Sequence, residues 1–187
     1  QLPSLRMQET YRFFIDAGAD AVVNHHQHCF SGYEYYNAKP IVYGLGNFCY
    51  DADNCRNSMW NEGYMAMLNF DNNTSLETIP YIQNNDVVGV FTLKNRTDFD
   101  NKINKLNNII TDRETLKKKQ QEYYKSQSDI TNIRLEPYTN RVLKALRIRN
   151  LIPSMFSHRK LIEIQNIIEC ESHRDKLIFA LHRKNKK

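Results

Sequence analysis

Three of the six histidines stand within four residues, as His25-His26-Gln27-His28. A neutral imidazole is the commonest side-chain ligand for zinc and also serves iron, manganese and nickel. Side chains alternate across an extended backbone, so His26 and His28 would share one side and His25 the other. An extended His-x-His pair can aim two imidazoles at one ion or at two neighbouring ions. The alternative for the same residues is a solvent-facing, histidine-rich loop. Two ligands do not complete a catalytic site: zinc takes three protein ligands plus water, and two-metal sites add carboxylates. Cys29 adjoins the block and is either a further ligand or a small buried side chain.

The elements around the block must place it. Ala19 to Asn24 reads as a short buried strand that delivers the histidines to the loop leaving a sheet, a common place for α/β ligand sites. Ahead of it, Leu5 to Ala17 is predicted as an amphipathic helix with Leu5, Met7, Tyr11, Phe14 and Ile15 apolar, Ser4 as its cap and Gly18 as its stop. Tyr33 to Tyr36 reads as a strand, 37–40 as a turn, and Pro40 to Leu45 as an apolar strand closed by Gly46-Asn47-Phe48. Tyr64 to Phe70 and Leu76 to Ile82 alternate around a turn at 71–73, and Asp86 to Leu93 follows as one more strand. Together these suggest an antiparallel meander continuing a mixed sheet. From Asp98 to about Tyr124 the period is helical, with Ile103, Leu106, Ile109 and Ile110 apolar. Thr111 and Glu114 have the spacing of a capping box, where the helix would break and restart. Ser126 to Glu136 is polar and reads as irregular. Pro137 to Ile152 and Arg159 to Arg183 read as two further helices. Glu169, Glu171, His173 and Asp175 do not share one helical face and are expected in solvent.

With 187 residues, 41% of them hydrophobic, one ordinary domain with an appendage is expected. The net charge of +5 concentrates late, at Lys117 to Lys119, Arg147, Arg149, Arg159-Lys160 and Arg183 to Lys187. Such runs touch phosphate or an anionic membrane surface, or simply solvate helix faces. Aromatic residues do not interleave with them, so nucleic acid is not an expected partner. The four cysteines form no Cys-x-x-Cys pair, which argues against a zinc knuckle or a disulfide framework. No run of about 18 apolar residues occurs, so membrane association is expected only through segments absent from this chain. The chain opens on Gln1 and runs almost at once into a helical pattern, which suggests a fragment without its natural N-terminal portion.

Three blocks carry a resemblance: Ile15-Asp16-Ala17-Gly18-Ala19-Asp20-Ala21-Val22-Val23-Asn24-His25-His26-Gln27-His28, then Gly32-x-Glu34, then Lys39-Pro40-Ile41-Val42-Tyr43-Gly44-Leu45-Gly46-Asn47-Phe48. In order and spacing they resemble the bacterial capsule-synthesis CapA family, also called the poly-γ-glutamate capsule biosynthesis family. The likeness spans residues 3–51 and weakens towards residue 93. It implies an α/β fold, the C-terminal half of a metallophosphoesterase-like αββα sandwich (residues 1–97), followed by an α-helical extension (residues 98–187). In that superfamily the final metal motif is Gly-His-x-His. His26-Gln27-His28 matches its His-x-His, His25 stands at the glycine position, Asn24 stands where the capsule family often has glycine, and Gln27 replaces the usual proline.

The resemblance thus implies His26 and His28 as catalytic metal ligands and His25 as a further metal candidate. Glu34 and Asn47 would be pocket residues, supports behind the ligands, or turn residues. It implies divalent metal ions (Mn, Fe or Zn) in a site incomplete in this chain. The superfamily's early Asp-x-His, Gly-Asp and Gly-Asn-His-Asp/Glu motifs are absent, and Gly46-Asn47 is followed by Phe48. The implied role is capsule or poly-γ-glutamate-type polymer biosynthesis at the bacterial cell envelope. When the protein is intact, a metal-dependent hydrolase would use two ions to activate hydroxide for attack at phosphorus. Its partners would be an anionic polymer or phosphoester substrate and the missing N-terminal half of the domain. One rival is a non-catalytic component that binds anionic polymer or assists assembly. Another is a nucleotidase or nuclease on the same superfold.

Overall fold

The computed structural model describes residues 1–50, 58–71, 73–83, 91–93, 95–138 and 140–184. It is a mixed α/β structure followed by helices, and it divides into two compact units, Gln1–Tyr123 and Tyr124–Lys187.

Helix α1 (Leu5–Asp16) starts where Ser4 Oγ accepts the Met7 amide at 3.0 Å, satisfying one of the free donors of the first turn. It ends at Ala17, and Gly18 follows at φ +110°, a left-handed value that only glycine adopts freely. Three strands then form the first sheet, in the order β1 (Val22–Val23), β3 (Lys39–Val42), β2 (Tyr33–Tyr36). β1 runs parallel to β3 with Val22 opposite Ile41, and β2 runs antiparallel to it with Glu34 opposite Ile41. Asn37 and Ala38 join β2 to β3 at φ 51° and 60°, the backbone of a two-residue hairpin turn whose twist matches that of the strands. Pro40 precedes the residues that pair with β1, so its missing N–H costs no ladder bond on that side.

A short 3-10 turn (Met59–Asn61) leads into the second sheet. Here β4 (Glu62–Asn69), β5 (Ser75–Gln83) and β6 (Phe91–Leu93) form an antiparallel meander, with Glu62 opposite Ile82 and Asn69 opposite Ser75. Alternation along β3 feeds two cores. Ile41 and Tyr43 join Ile15 and Ile110 beneath α1, while Val42 joins Phe30, Tyr64, Phe99 and Ile103. Phe99, Ile103 and Ile110 belong to α2 (Arg96–Thr111). Each such aromatic or branched side chain contributes roughly 1.5–3 kcal/mol by leaving water. Helix α3 (Arg113–Leu135) follows after a single joint residue, Asp112.

In the second unit α4 (Arg141–Ile148), α5 (His158–Glu169) and α6 (Glu171–Lys184) follow the end of α3. A buried carboxylate just after α3 holds α4 and the segment that follows it. Glu136 accepts Arg147 Nε at 2.9 Å, Ser154 Oγ at 2.8 Å and the Met155 amide at 3.2 Å.

Several expectations need correction. The strand expected over 19–24 is only Val22–Val23, and it is not buried: β1 lies at the sheet edge and Val23 is exposed. The meander does not continue the mixed sheet but forms a second sheet. Of the strand expected over 86–93, residues 86–90 lie outside the described residues, and Phe91–Leu93 is a strand. Phe14, expected on the packed face of α1, is exposed, and Gln8 is buried in its stead with Nε2 donating to Ile110 O at 2.8 Å. The helix break falls as expected, yet Asp112 rather than Thr111 caps the restart, its Oδ1 accepting the Glu114 and Thr115 amides. Residues 126–135, expected to be irregular, continue α3. They are polar but contain neither glycine nor proline before Pro137, and polarity alone does not end a helix. The helix expected over 137–152 is confined to Arg141–Ile148, capped by Asn140, and the one expected over 159–183 is two helices parted at Cys170. The two compact units meet at Tyr123 within α3, and α2 packs into the first core.

Candidate functional site

The histidine block leaves β1 and runs beside the segment that follows β3. Asn24 ties the two together, donating through Nδ2 to Tyr43 O at 2.8 Å while its Oδ1 accepts the His26 amide at 3.0 Å. Gln27 lies against Gly44, where an added Cβ would stand 3.1 Å from Gln27 Oε1. Gly46 adopts φ +82°, and a Cβ there would come within 2.6 Å of Glu62 O. The turn that faces the histidines therefore requires glycine on two counts, backbone conformation and space.

Two of the three imidazoles are anchored to that turn. His25 Nε2 lies 2.9 Å from Gly46 O. A carbonyl oxygen only accepts, so Nε2 carries the proton and Nδ1 of the neutral ring keeps a lone pair. His28 Nδ1 lies 3.0 Å from Asn47 Oδ1. The Asn47 amide is oriented by its other end, since Nδ2 donates to Trp60 O at 3.1 Å. This assigns Oδ1 as the acceptor towards His28, hence a proton on His28 Nδ1 and a lone pair on Nε2. Asn47 is itself held at both backbone ends, by its amide donating to His28 O at 3.2 Å and by Tyr81 Oη donating to its carbonyl at 3.0 Å. Burial pushes the Tyr81 hydroxyl up to about 12, so it remains a donor through the neutral range.

An aromatic wall completes the arrangement. The His28 ring stacks on Trp60 with centroids 4.5 Å apart and planes 11° from parallel, and Tyr50 meets it edge-on at 5.7 Å. Beneath this wall Asn61 is buried, its Nδ2 donating to Tyr50 O and Gln83 Oε1.

The residues read from the sequence are thus distributed as follows. His25, His28 and Asn47 meet at the turn after β3. His26 is exposed on the same loop and is held through its backbone amide. Cys29 is half-buried. Glu34 is elsewhere, on β2 against α1. It accepts Arg12 Nε at 2.9 Å and Arg12 Nη2 at 2.6 Å, while Tyr43 Oη donates to it at 2.6 Å. Glu169, Glu171, His173 and Asp175 are in solvent, as expected. Cys55 lies outside the described residues. Trp60 and Tyr50 carry no site reading in the sequence, and Asn24 is read there only at a position where the capsule family often has glycine. Trp60 is the one tryptophan of the chain, which is the only signal the sequence offers for it. Imidazole lone pairs fit the ligand type of a divalent metal. The number of donors falls short: among the described residues no three His, Cys, Asp or Glu side chains gather as a metal-binding group.

Comparison with known proteins falls on this same stretch. Residues 1–52 match the family described as bacterial capsule synthesis protein PGA_cap. The chain is 45% identical over 49 residues to the PGA biosynthesis protein CapA of Bacillus subtilis, an overlap of 26% of this chain and 13% of that protein. It is 41% identical over 49 residues to the capsule biosynthesis protein CapA of Bacillus anthracis, covering 26% and 12%. An uncharacterized protein of Sinorhizobium fredii shares 54% over 44 residues, covering 24% and 10%. The chain therefore spans only about a tenth of the length of these relatives. Over that stretch it is similar to capsule-synthesis proteins.

Proposed function

We propose that this chain supplies the imidazole loop of a metallophosphoesterase-like αββα domain serving capsule or poly-γ-glutamate-type polymer biosynthesis at the cell envelope. In the intact protein His26 and His28, with His25 beside them, would hold divalent metal, and the domain would act as a metal-dependent hydrolase. The observation that carries this reading is the relay Trp60 O, Asn47, His28. It fixes one tautomer and leaves Nε2 with its lone pair, as metal-bound histidines are commonly held by an acceptor on the other nitrogen. A bound metal would polarise a phosphoryl oxygen or lower the pKa of a water. The chain's own contribution is orientation: Asn47 sets the His28 ring, Gly46 O sets His25, and Asn24 holds the loop that carries both. Glu34 supports this reading only through the fold, since its oxygens are engaged by Arg12 and Tyr43.

The test is metal content, together with hydrolysis of a phosphodiester such as bis-p-nitrophenyl phosphate, on the protein at its full natural length. The variants are His26→Ala/His28→Ala and Asn47→Leu. The double variant is expected to lose both metal and hydrolysis. Asn47→Leu is expected to keep the ligands yet weaken metal affinity by about 10–100-fold. A metal-free, inactive protein that still binds poly-γ-glutamate would overturn the hydrolase reading and leave a polymer-binding component.

A further inference from the structure

Charge is divided sharply along this chain. Residues 124–187 hold fourteen lysines and arginines against six aspartates and glutamates, a net charge of +8, whereas residues 1–123 hold twelve against fifteen, a net charge of −3. The same basic unit leaves large apolar side chains in solvent, among them Val142 on α4, Ile168 on α5, and Ile178, Phe179 and Leu181 on α6. Phe179 is 67% exposed. On α4 the apolar residues Val142, Leu143 and Leu146 fall on one side of the helical wheel and Arg141 and Lys144 on the other. On α5 Leu161, Ile164 and Ile168 recur at the spacing of a single stripe.

The two features together select among partners. A hydrophilic polyanion would meet the charge and leave the apolar side chains in water. A second copy packed through the same unit could cover the apolar side chains but would set +8 against +8. An interface of anionic lipid headgroups meets both demands. Apolar side chains enter the acyl boundary, while lysine and arginine lay their stems along it and keep their charge among the phosphates. We propose that α4, α5 and α6 dock this protein on the surface of an anionic lipid bilayer. The contact is peripheral in kind, because no described helix is long and apolar enough to cross a membrane.

Co-sedimentation of the full chain with vesicles tests this. With equal parts phosphatidylglycerol and phosphatidylcholine the chain is expected to pellet, with at least about tenfold weaker binding to phosphatidylcholine alone and a decline with added salt. Ile178→Ser/Phe179→Ser is expected to lower binding about tenfold by removing apolar insertion. Arg159→Glu/Lys176→Glu keeps the apolar side chains and is expected to lower it further, each basic residue being worth roughly fivefold near such a surface. All four positions are exposed, and circular dichroism checks that helix content is retained. The proposal is overturned if anionic vesicles do not carry the chain down or if Ile178→Ser/Phe179→Ser binds as the unaltered chain does. It is also overturned if soluble poly-γ-glutamate displaces the vesicles at equal charge, which would assign the basic unit to a polyanion.

Discussion

At the residue scale, Glu34 and Asn47 show how similar polar positions acquire different tasks. The Glu34 side chain is 3% exposed and accepts three hydrogen bonds, two from one guanidinium and one from a buried tyrosine. Burial pushes the Tyr43 hydroxyl far up, and the adjacent carboxylate adds to the shift, so that hydroxyl remains a donor. Replacing a buried, paired carboxylate leaves its partners unmatched, which costs about 3–5 kcal/mol when the side chain is removed and less for an amide of the same shape. Glu34→Gln is therefore expected to lower stability by roughly 2 kcal/mol in denaturant unfolding. It should leave the ring-nitrogen NMR shifts of His28 unchanged, because Asn47 and Trp60 set that tautomer. A moved His28 tautomer would show that Glu34 acts on the loop. The spacing of the histidines and the Gly46-Asn47 pair were legible in the sequence because they are short-range patterns. The Glu34 pairing with Arg12 and the stacking of Trp60 on His28 were not. They join residues 22 and 32 positions apart, and nothing local in a sequence encodes such meetings.

At the element scale the site depends on the segment after β3 passing very close to the start of β4. A Cβ added at Gly46 would stand 2.6 Å from Glu62 O, and one added at Gly63 would stand 2.5 Å from Tyr81 Oη and 2.8 Å from Leu45 O. The Tyr64 amide donates to Leu45 O at 3.0 Å, so the two segments are bonded backbone to backbone where they cross. Gly46→Ala adds both a left-handed strain and a backbone clash, each of order 1–3 kcal/mol. It should lower the unfolding midpoint and, because Gly46 O fixes His25, release that ring as well. Loss of the His25 Nε2 proton signature in the NMR spectrum, at a denaturant concentration where the protein is still folded, checks the coupling. An unchanged midpoint would refute the crowding argument. Elements with local signals were readable: the Ser4 cap, the Gly18 stop and the two hairpins. Residues 126–135 look irregular by polarity alone yet continue α3, because helix formers and an absence of breakers decide the matter. β1 lies at the edge although its sequence suggests burial, because an apolar run does not tell a central strand from an edge strand.

At the scale of the whole molecule, the residues that match the capsule-synthesis family model, 1–52, all lie in the acidic unit. The basic unit nevertheless buries a carboxylate, Glu136, and that group contributes to how it answers pH. Burial alone would push the Glu136 carboxyl up. Hydrogen bonds from Ser154, the Met155 amide and Arg147 outweigh burial and hold it below the ordinary value of 4.5. A carboxyl with a depressed folded value stabilises the fold fully above its unfolded value and loses that contribution as pH falls through the folded one. Acidification through the ordinary glutamate value of 4.5 and below it should therefore destabilise α4 and the segment after it progressively, until the folded-state value is passed. General charge repulsion in a +8 unit also grows as carboxylates protonate, so the control is Glu136→Gln. That variant should be less stable near neutrality by roughly 2 kcal/mol, and its stability should depend less on pH across that window. Parallel curves for the two proteins, measured by circular dichroism in urea, would mean that Glu136 titrates alike in the folded and unfolded chain. The three donors would then contribute nothing to acid sensitivity.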